Sequence, residues 1–164
     1  MLLPPMNSRE EKEQIITDFY TAFMNKDAEK MVSYYDDDIV FNDPVFKNLK
    51  GEEAKDMWRM LLGSATDLKV SFSNVEANGI KGSANWEAIY LFSKTGNTVH
   101  NKIKASFEFE NGKIIRHTDD FDLWKWSGMA LGVSGKLLGW SSFMQGKIKD
   151  TAQKALDKYR ASKK

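Results

Sequence analysis

The stretch 97-NTVHNKIKASFEFENGKIIRHTDDFDL-123 decides the architecture. Val99, Ile103, Ala105, Phe107 and Phe109 share one parity, while His100, Lys102, Lys104, Ser106 and Glu108 share the other. That is the period of a strand with one apolar and one polar face. Asn111-Gly112 signals a hairpin, because a tight two-residue turn needs positive φ at both central positions. Beyond it Ile115, His117, Asp119, Phe121 and Leu123 fall on one face, and Arg116, Thr118, Asp120 and Asp122 on the other. Ile114 is an exception near the strand start. Two titratable groups, His117 and Asp119, thus reach the apolar face by parity alone.

Upstream the same alternation recurs. Leu68, Val70 and Phe72 make one strand, and Ala84, Trp86, Ala88, Tyr90 and Phe92 one face of the next. Asn78-Gly79 and Gly96-Asn97 supply turns. The first third of the chain reads differently. Ser8 with Glu11 forms a capping-box pattern, followed by a helical stripe of Ile16, Phe19, Tyr20 and Phe23. Asn25 and Lys26 break the helix. Asp27 caps a second one, with Met31, Val32 and Tyr35 on one side. Asp36, Asp37 and Asp38 read as an acidic turn. In the strand that follows, Ile39, Phe41 and Asp43 share a face until Pro44 limits the ladder. A third helix after Gly51 buries Ala54, Met57, Trp58 and Leu61, and Gly63 stops it. The expected fold class is therefore α+β: a curved, cone-shaped antiparallel or mixed sheet with three N-terminal helices packed on it, and a C-terminal helical tail.

The chain has 164 residues, 41% apolar and 29% charged, with net charge +1. That suits one domain able to bury roughly two thirds of its unfolded surface without a metal or disulfide. The absence of cysteine removes disulfides, thiolate nucleophiles and Cys-based metal sites, and fits a cytoplasmic location. Two histidines cannot make a three-histidine metal site. The near-neutral charge offers no global field for nucleic acid. No phosphate-cradling glycine loop is present, so no nucleotide cofactor is expected, and the acidic run 36–38 has no ligand spacing for a metal. The expectation is a protein with no cofactor and no metal. Met1 to Asn7 read as a disordered N-terminus with no secretory signal, residues 8–126 as the domain and 127–164 as an extension.

The first-helix stripe, the stretch YYDDDIVFNDPVF and the stretch GKIIRHTDDFDLW together resemble the nuclear transport factor 2-like superfamily. It includes ketosteroid isomerase, limonene epoxide hydrolase and the SnoaL-like polyketide cyclases. The resemblance covers about residues 8 to 126 and implies a sheet wrapped around one pocket and a homodimer. It implies that Asp43 matches the isomerase general base, while the isomerase's Tyr and Asp oxyanion-hole positions carry Phe19 and Ala105. Neither can donate a hydrogen bond, so steroid isomerisation is not expected. Tyr20 is adjacent but points a different way around the helix. Asp119 matches a catalytic carboxylate of the hydrolase and an acid/base of the cyclases. The hydrolase's Arg-x-Asp pair is replaced by Trp86-Glu87-Ala88.

The candidate catalytic groups are therefore Asp43, His117 and Asp119. Burial in an apolar pocket raises a carboxyl pKa towards neutrality, where proton transfer is efficient. Phe19, Tyr20, Trp58, Trp86, Asn101 and Phe121 are the expected pocket lining. The bland alternatives are a turn cap for Asp43, a satisfied core histidine for His117, a strand-edge role for Asn101, and core packing for the aromatics. Two functions stay open. One is a cofactor-independent isomerase, cyclase or hydrolase acting on a small, largely apolar molecule. The other is a non-catalytic binding or interaction module.

The tail crowds Trp124, Trp126, Met129, Leu131, Val133, Leu137, Leu138, Trp140, Phe143 and Met144 into a glycine-rich stretch. Ile148, Ala152, Ala155 and Tyr159 then mark an amphipathic helix. From Gln145 onward there are seven Lys or Arg against two Asp, read as a solvated face. The tail can close the open end of the cone, form a dimer contact or lie on a membrane surface. Packing against the domain or a partner chain is the expectation, with no stable membrane association.

Overall fold

The computed structural model describes residues 8–163; the expected disordered segment 1–7 lies outside them. Helices α1 (Ser8–Met24) and α2 (Ala28–Val32) lead into strand β1 (Tyr35–Asn42). A short strand β2 (Leu49–Lys50) and helix α3 (Glu52–Ser64) follow. Strands β3 (Thr66–Asn78), β4 (Lys81–Phe92), β5 (Asn97–Glu110) and β6 (Lys113–Asp120) form the long part of the sheet. Helices α4 (Leu123–Leu131), α5 (Val133–Leu138) and α6 (Ser142–Ser162) close the chain.

The six strands lie in the order β2-β1-β6-β5-β4-β3. Neighbours are antiparallel except β1 and β6, which are parallel, so the sheet is mixed. Asn111 and Gly112 both have positive φ, as the hairpin signal required. Register shifts in β1, β3 and between β5 and β6 mark bulges, which bend strands and curve the sheet. Its inner face and helices α1 and α3 share one core containing Ile16, Phe19, Tyr20, Phe41, Trp58, Trp86 and Phe107, and Leu156 of α6 joins it.

Several local readings change. Tyr35 ends no helix; it begins β1 opposite Ile114, and Asp36 to Asp38 lie within that strand rather than in a turn. Ser8 lies inside α1, where its hydroxyl accepts the Lys12 ammonium. Leu61 is exposed, and α3 runs through Gly63; the buried polar residue on that helix is Asp56. Ile114 is core and Ile115 only half-buried, because Phe109 pairs with Ile114 while Glu108 pairs with Arg116. The extra residue at the bulge shifts the parity by one, which restores His117 and Asp119 to the inner face. In α6 Leu156 is buried and Ala155 exposed.

The tail only partly meets the expectation of packing on the domain. Trp126 meets Phe92 edge to face at 5.5 Å and donates to the Tyr90 hydroxyl at 2.8 Å. Helix α6 is clamped to α3 through Asp56, which accepts from Arg160 at 3.0 Å, from Arg59 at 3.0 Å and from Lys163. Trp124, Val133, Leu137, Leu138, Trp140 and Phe143 are instead exposed.

Candidate functional site

Four buried polar side chains of the core, Trp58, Tyr35, His117 and Asp119, form one chain of hydrogen bonds. The Trp58 indole N–H donates to the Tyr35 hydroxyl oxygen at 2.8 Å. That hydroxyl lies 2.6 Å from Nδ1 of His117, and Nε2 of His117 lies 2.8 Å from Oδ1 of Asp119. The Trp86 N–H also reaches Oδ1, at 3.3 Å. The Tyr35 hydroxyl accepts from Trp58 and can donate its own O–H to Nδ1, while the Asp119 carboxylate accepts from Nε2. The imidazole proton then sits on Nε2 and is donated to Asp119. Burial, together with the charge of Asp119, pushes the Tyr35 phenol well above its ordinary pKa and keeps it a donor.

The packing holds this chain rigidly. The His117 ring stacks on Phe107 at 4.4 Å and on Trp58 at 6.0 Å, with Phe41 edge-on at 5.1 Å. The two residues are neighbours because they are two apart on β6, beside Phe107 and Ala105 of β5. Both hydrogen bonds to Asp119 fall on Oδ1. Among the described residues none reaches Oδ2.

Tyr20 points a different way from Phe19: it meets Phe72 and Trp86, whereas Phe19 meets Tyr35, Trp58 and His117, and both are fully buried. Tyr20 stacks on Phe72 at 5.4 Å, and its hydroxyl is buried with no hydrogen-bond partner. Burial first, then the nearby charge of Asp119, pushes its pKa well up. A buried donor left unpaired costs about 1–3 kcal/mol.

Asp43 serves a turn and remains titratable. Its Oδ1 accepts the backbone N–H groups of Val45 at 2.7 Å and Phe46 at 2.6 Å, the turn-capping role open to Asp before Pro. Burial nevertheless raises its pKa from 3.8 to about 6, against the pull of those two bonds and with help from Asp119. Asn101 lies on the inner face opposite Ala88, and Phe121 packs half-buried against the core; neither belongs to the hydrogen-bonded chain. Tyr35 was missed because the bulge in β1 hides its parity. The indole donors of Trp58 and Trp86 were legible only as apolar bulk. Among the described residues no three acidic, His or Cys side chains gather as metal ligands.

Two concavities lie elsewhere. One of about 460 Å³ is lined by Glu76, Lys81, Ser83, Glu108, Arg116 and Thr118. Another of about 770 Å³ is lined by Asn97, Trp124, Lys125 and Lys136, among others. Neither is lined by His117 or Asp119.

The SnoaL-like domain model matches residues 16–117, from the first-helix stripe to the histidine of the dyad. The chain belongs to the SnoaL-like family. No curated protein matches it in sequence. Among solved structures, this SnoaL-like chain is similar to an LEH-like epoxide hydrolase from M. tuberculosis, with 19% identity and TM-score 0.64 over 80% of this chain and 98% of that one. It is similar to TerC co-crystallised with polyporic acid, with 15% identity and TM-score 0.64 over 74% and 98%. A third is an NTF2-like protein of unknown function from Burkholderia pseudomallei, with 15% identity and TM-score 0.61 over 68% and 91%. At these identities the likeness is one of fold.

Proposed function

We propose that this SnoaL-like domain holds a small, largely apolar, oxygen-bearing molecule against the inner face of the sheet and performs cofactor-independent acid–base chemistry on it. Asp119 is the base, His117 orients it, and Asp43 is the second titratable group. The observation that carries this reading is the pairing of an open Asp119 oxygen with an unpartnered Tyr20 hydroxyl in an aromatic enclosure. Oδ1 is fixed by His117 and Trp86, so Oδ2 is the atom left to take a proton from the ligand or from a water. The Tyr20 O–H is the donor left for a ligand oxygen on which charge develops. The fold-level neighbours include an epoxide hydrolase and a protein crystallised with polyporic acid, which fits a small oxygen-bearing ligand.

A second reading, a binding module without turnover, is favoured by one observation. His117 and Tyr20 are fully buried, and neither of the two concavities described is lined by them. The test is a thermal-shift screen of small keto, hydroxy, epoxide and quinone compounds, with turnover measured for each hit. At a hundredfold excess over its Kd, a ligand stabilises the protein by about 2.7 kcal/mol. Consumption by wild type with binding alone by Asp119→Asn supports the enzyme. Equal binding without consumption supports the module. No hit at all defeats both. The homodimer implied by the family belongs to the same proposal and is read by light scattering.

A further inference from the structure

Among the described residues, six of the ten exposed large apolar side chains fall in one stretch of the tail, the other four being Met24, Leu61, Ile80 and Ile89. Trp124, Val133, Leu137, Leu138, Trp140 and Phe143 are 48 to 76% exposed and lie on α4, α5, the turn after it and the start of α6. Two hydrogen bonds tie the segment together: the Trp124 indole N–H donates to the Lys136 carbonyl at 3.0 Å and that of Trp140 to the Leu137 carbonyl at 2.8 Å. Both indoles thus satisfy their polar atom on backbone and leave their ring faces apolar. A contiguous exposed apolar patch marks an interaction surface.

The patch sits on a rigid hairpin. A Cβ on Gly135 would lie 1.9 Å from the Ser127 carbonyl oxygen, so the backbones of α4 and α5 touch and no side chain fits between them. Large residues on this hairpin go either to the domain, as Leu123 and Trp126 do, or to the outer side.

The charge around the patch is mainly positive, with Asp122 and Asp150 at its two ends. From Leu123 to Lys149 the chain carries Lys125, Lys136, Lys147 and Lys149 and no acidic residue. None of the four is in an ion pair among the described residues. Trp, Phe and Leu beside unpaired Lys is the composition of a segment lying in a membrane interface, where rings sit at headgroup depth and ammonium groups meet anionic lipid. A second copy on the same patch would bring the same cations face to face. Among the described residues no helix is long and apolar enough to cross a membrane, so the segment would lie on the surface rather than span it.

We propose that the α4–α5 hairpin and the start of α6 dock this protein on an anionic lipid bilayer, which revises the expectation of no stable membrane association. The test is flotation of the full chain with vesicles of phosphatidylcholine, with and without phosphatidylglycerol. The protein should float with the mixed vesicles and bind pure phosphatidylcholine about tenfold more weakly or worse, with binding falling as salt rises. Trp140→Ser with Phe143→Ser, and separately Lys125→Glu with Lys136→Glu, should each reduce binding about tenfold or more at unchanged Tm. No flotation with mixed vesicles overturns the proposal, as does binding that both double variants retain in full. It is equally overturned if Trp140→Ser with Phe143→Ser splits a dimer into monomers while wild type ignores lipid, which would assign the face to a second copy.

Discussion

Nε2 of His117 stands 2.8 Å from Oδ1 of Asp119, at the inner end of a relay that begins at the Trp58 indole. The Asp119 carboxylate accepts from Nε2, and the Tyr35 hydroxyl on the far side of the ring is placed to donate to Nδ1. Long-range ¹H–¹⁵N spectra of the histidines should show His117 as the Nε2–H tautomer. Tyr35→Phe removes both the donor to Nδ1 and the acceptor for Trp58, and should lower stability by about 1–3 kcal/mol. An Nδ1–H tautomer in wild type would contradict the relay.

Tyr20 gives a prediction with the opposite sign. Its hydroxyl is buried and unpartnered, so Tyr20→Phe should leave the free protein as stable or raise its Tm by about 2–4 °C. The same variant should weaken any ligand that offers an oxygen to that hydroxyl. A large loss of Tm in Tyr20→Phe would mean that the hydroxyl has a partner in solution.

Asp43 binds its proton more tightly in the folded state, where its pKa is about 6 against an ordinary 3.8. Its contribution is therefore most favourable below pH 4 and is lost as pH rises through 6. Asp43→Asn keeps the turn-capping oxygen and removes the buried charge. The variant's stability relative to wild type should rise by on the order of 2 kcal/mol between pH 4 and pH 7. Urea denaturation of both proteins across that range reads the difference; a flat difference would place the carboxyl in water.

Asp56 works the other way. Burial alone would raise its pKa, but hydrogen bonds from Lys163, Arg59 and Arg160 outweigh it and hold the carboxyl below its ordinary range. The stability it confers is present above the ordinary carboxyl pKa and is lost as pH falls through the depressed value. Asp56→Asn should cost on the order of 2 kcal/mol at neutral pH and loosen α6 from α3. Hydrogen exchange across residues 142–162 should show α6 opening in the variant and staying protected in wild type.

Much of the sheet was legible because a strand's period belongs to the backbone. Residues 97–123 needed no distant partner to reveal which side chains share a face, and His117 and Asp119 were found that way. The reading failed where a bulge intervened. One extra residue at Ile115 exchanged the burial of Ile114 and Ile115, and the bulge between Tyr35 and Val40 disguised a strand as helix end and acidic turn. Leu61 was misread for a different reason: it continues the stripe of the buried Ala54 and Trp58, but lies in the last turn of α3, where it is exposed.

By itself, the sequence determined the element types, the hairpin turns and the presence of a histidine and a carboxylate on an apolar face. These follow from local backbone geometry and side-chain period, which neighbouring residues carry between them. Only the tertiary structure decided that Tyr35 and Trp58 complete a relay to that pair, that Tyr20 points inward without a partner, that Asp56 ties α3 to a helix some hundred residues away, and that six apolar side chains of the tail stay outside. Each of these depends on which segments the closed topology brings together, and long-range proximity leaves no periodic trace along the chain.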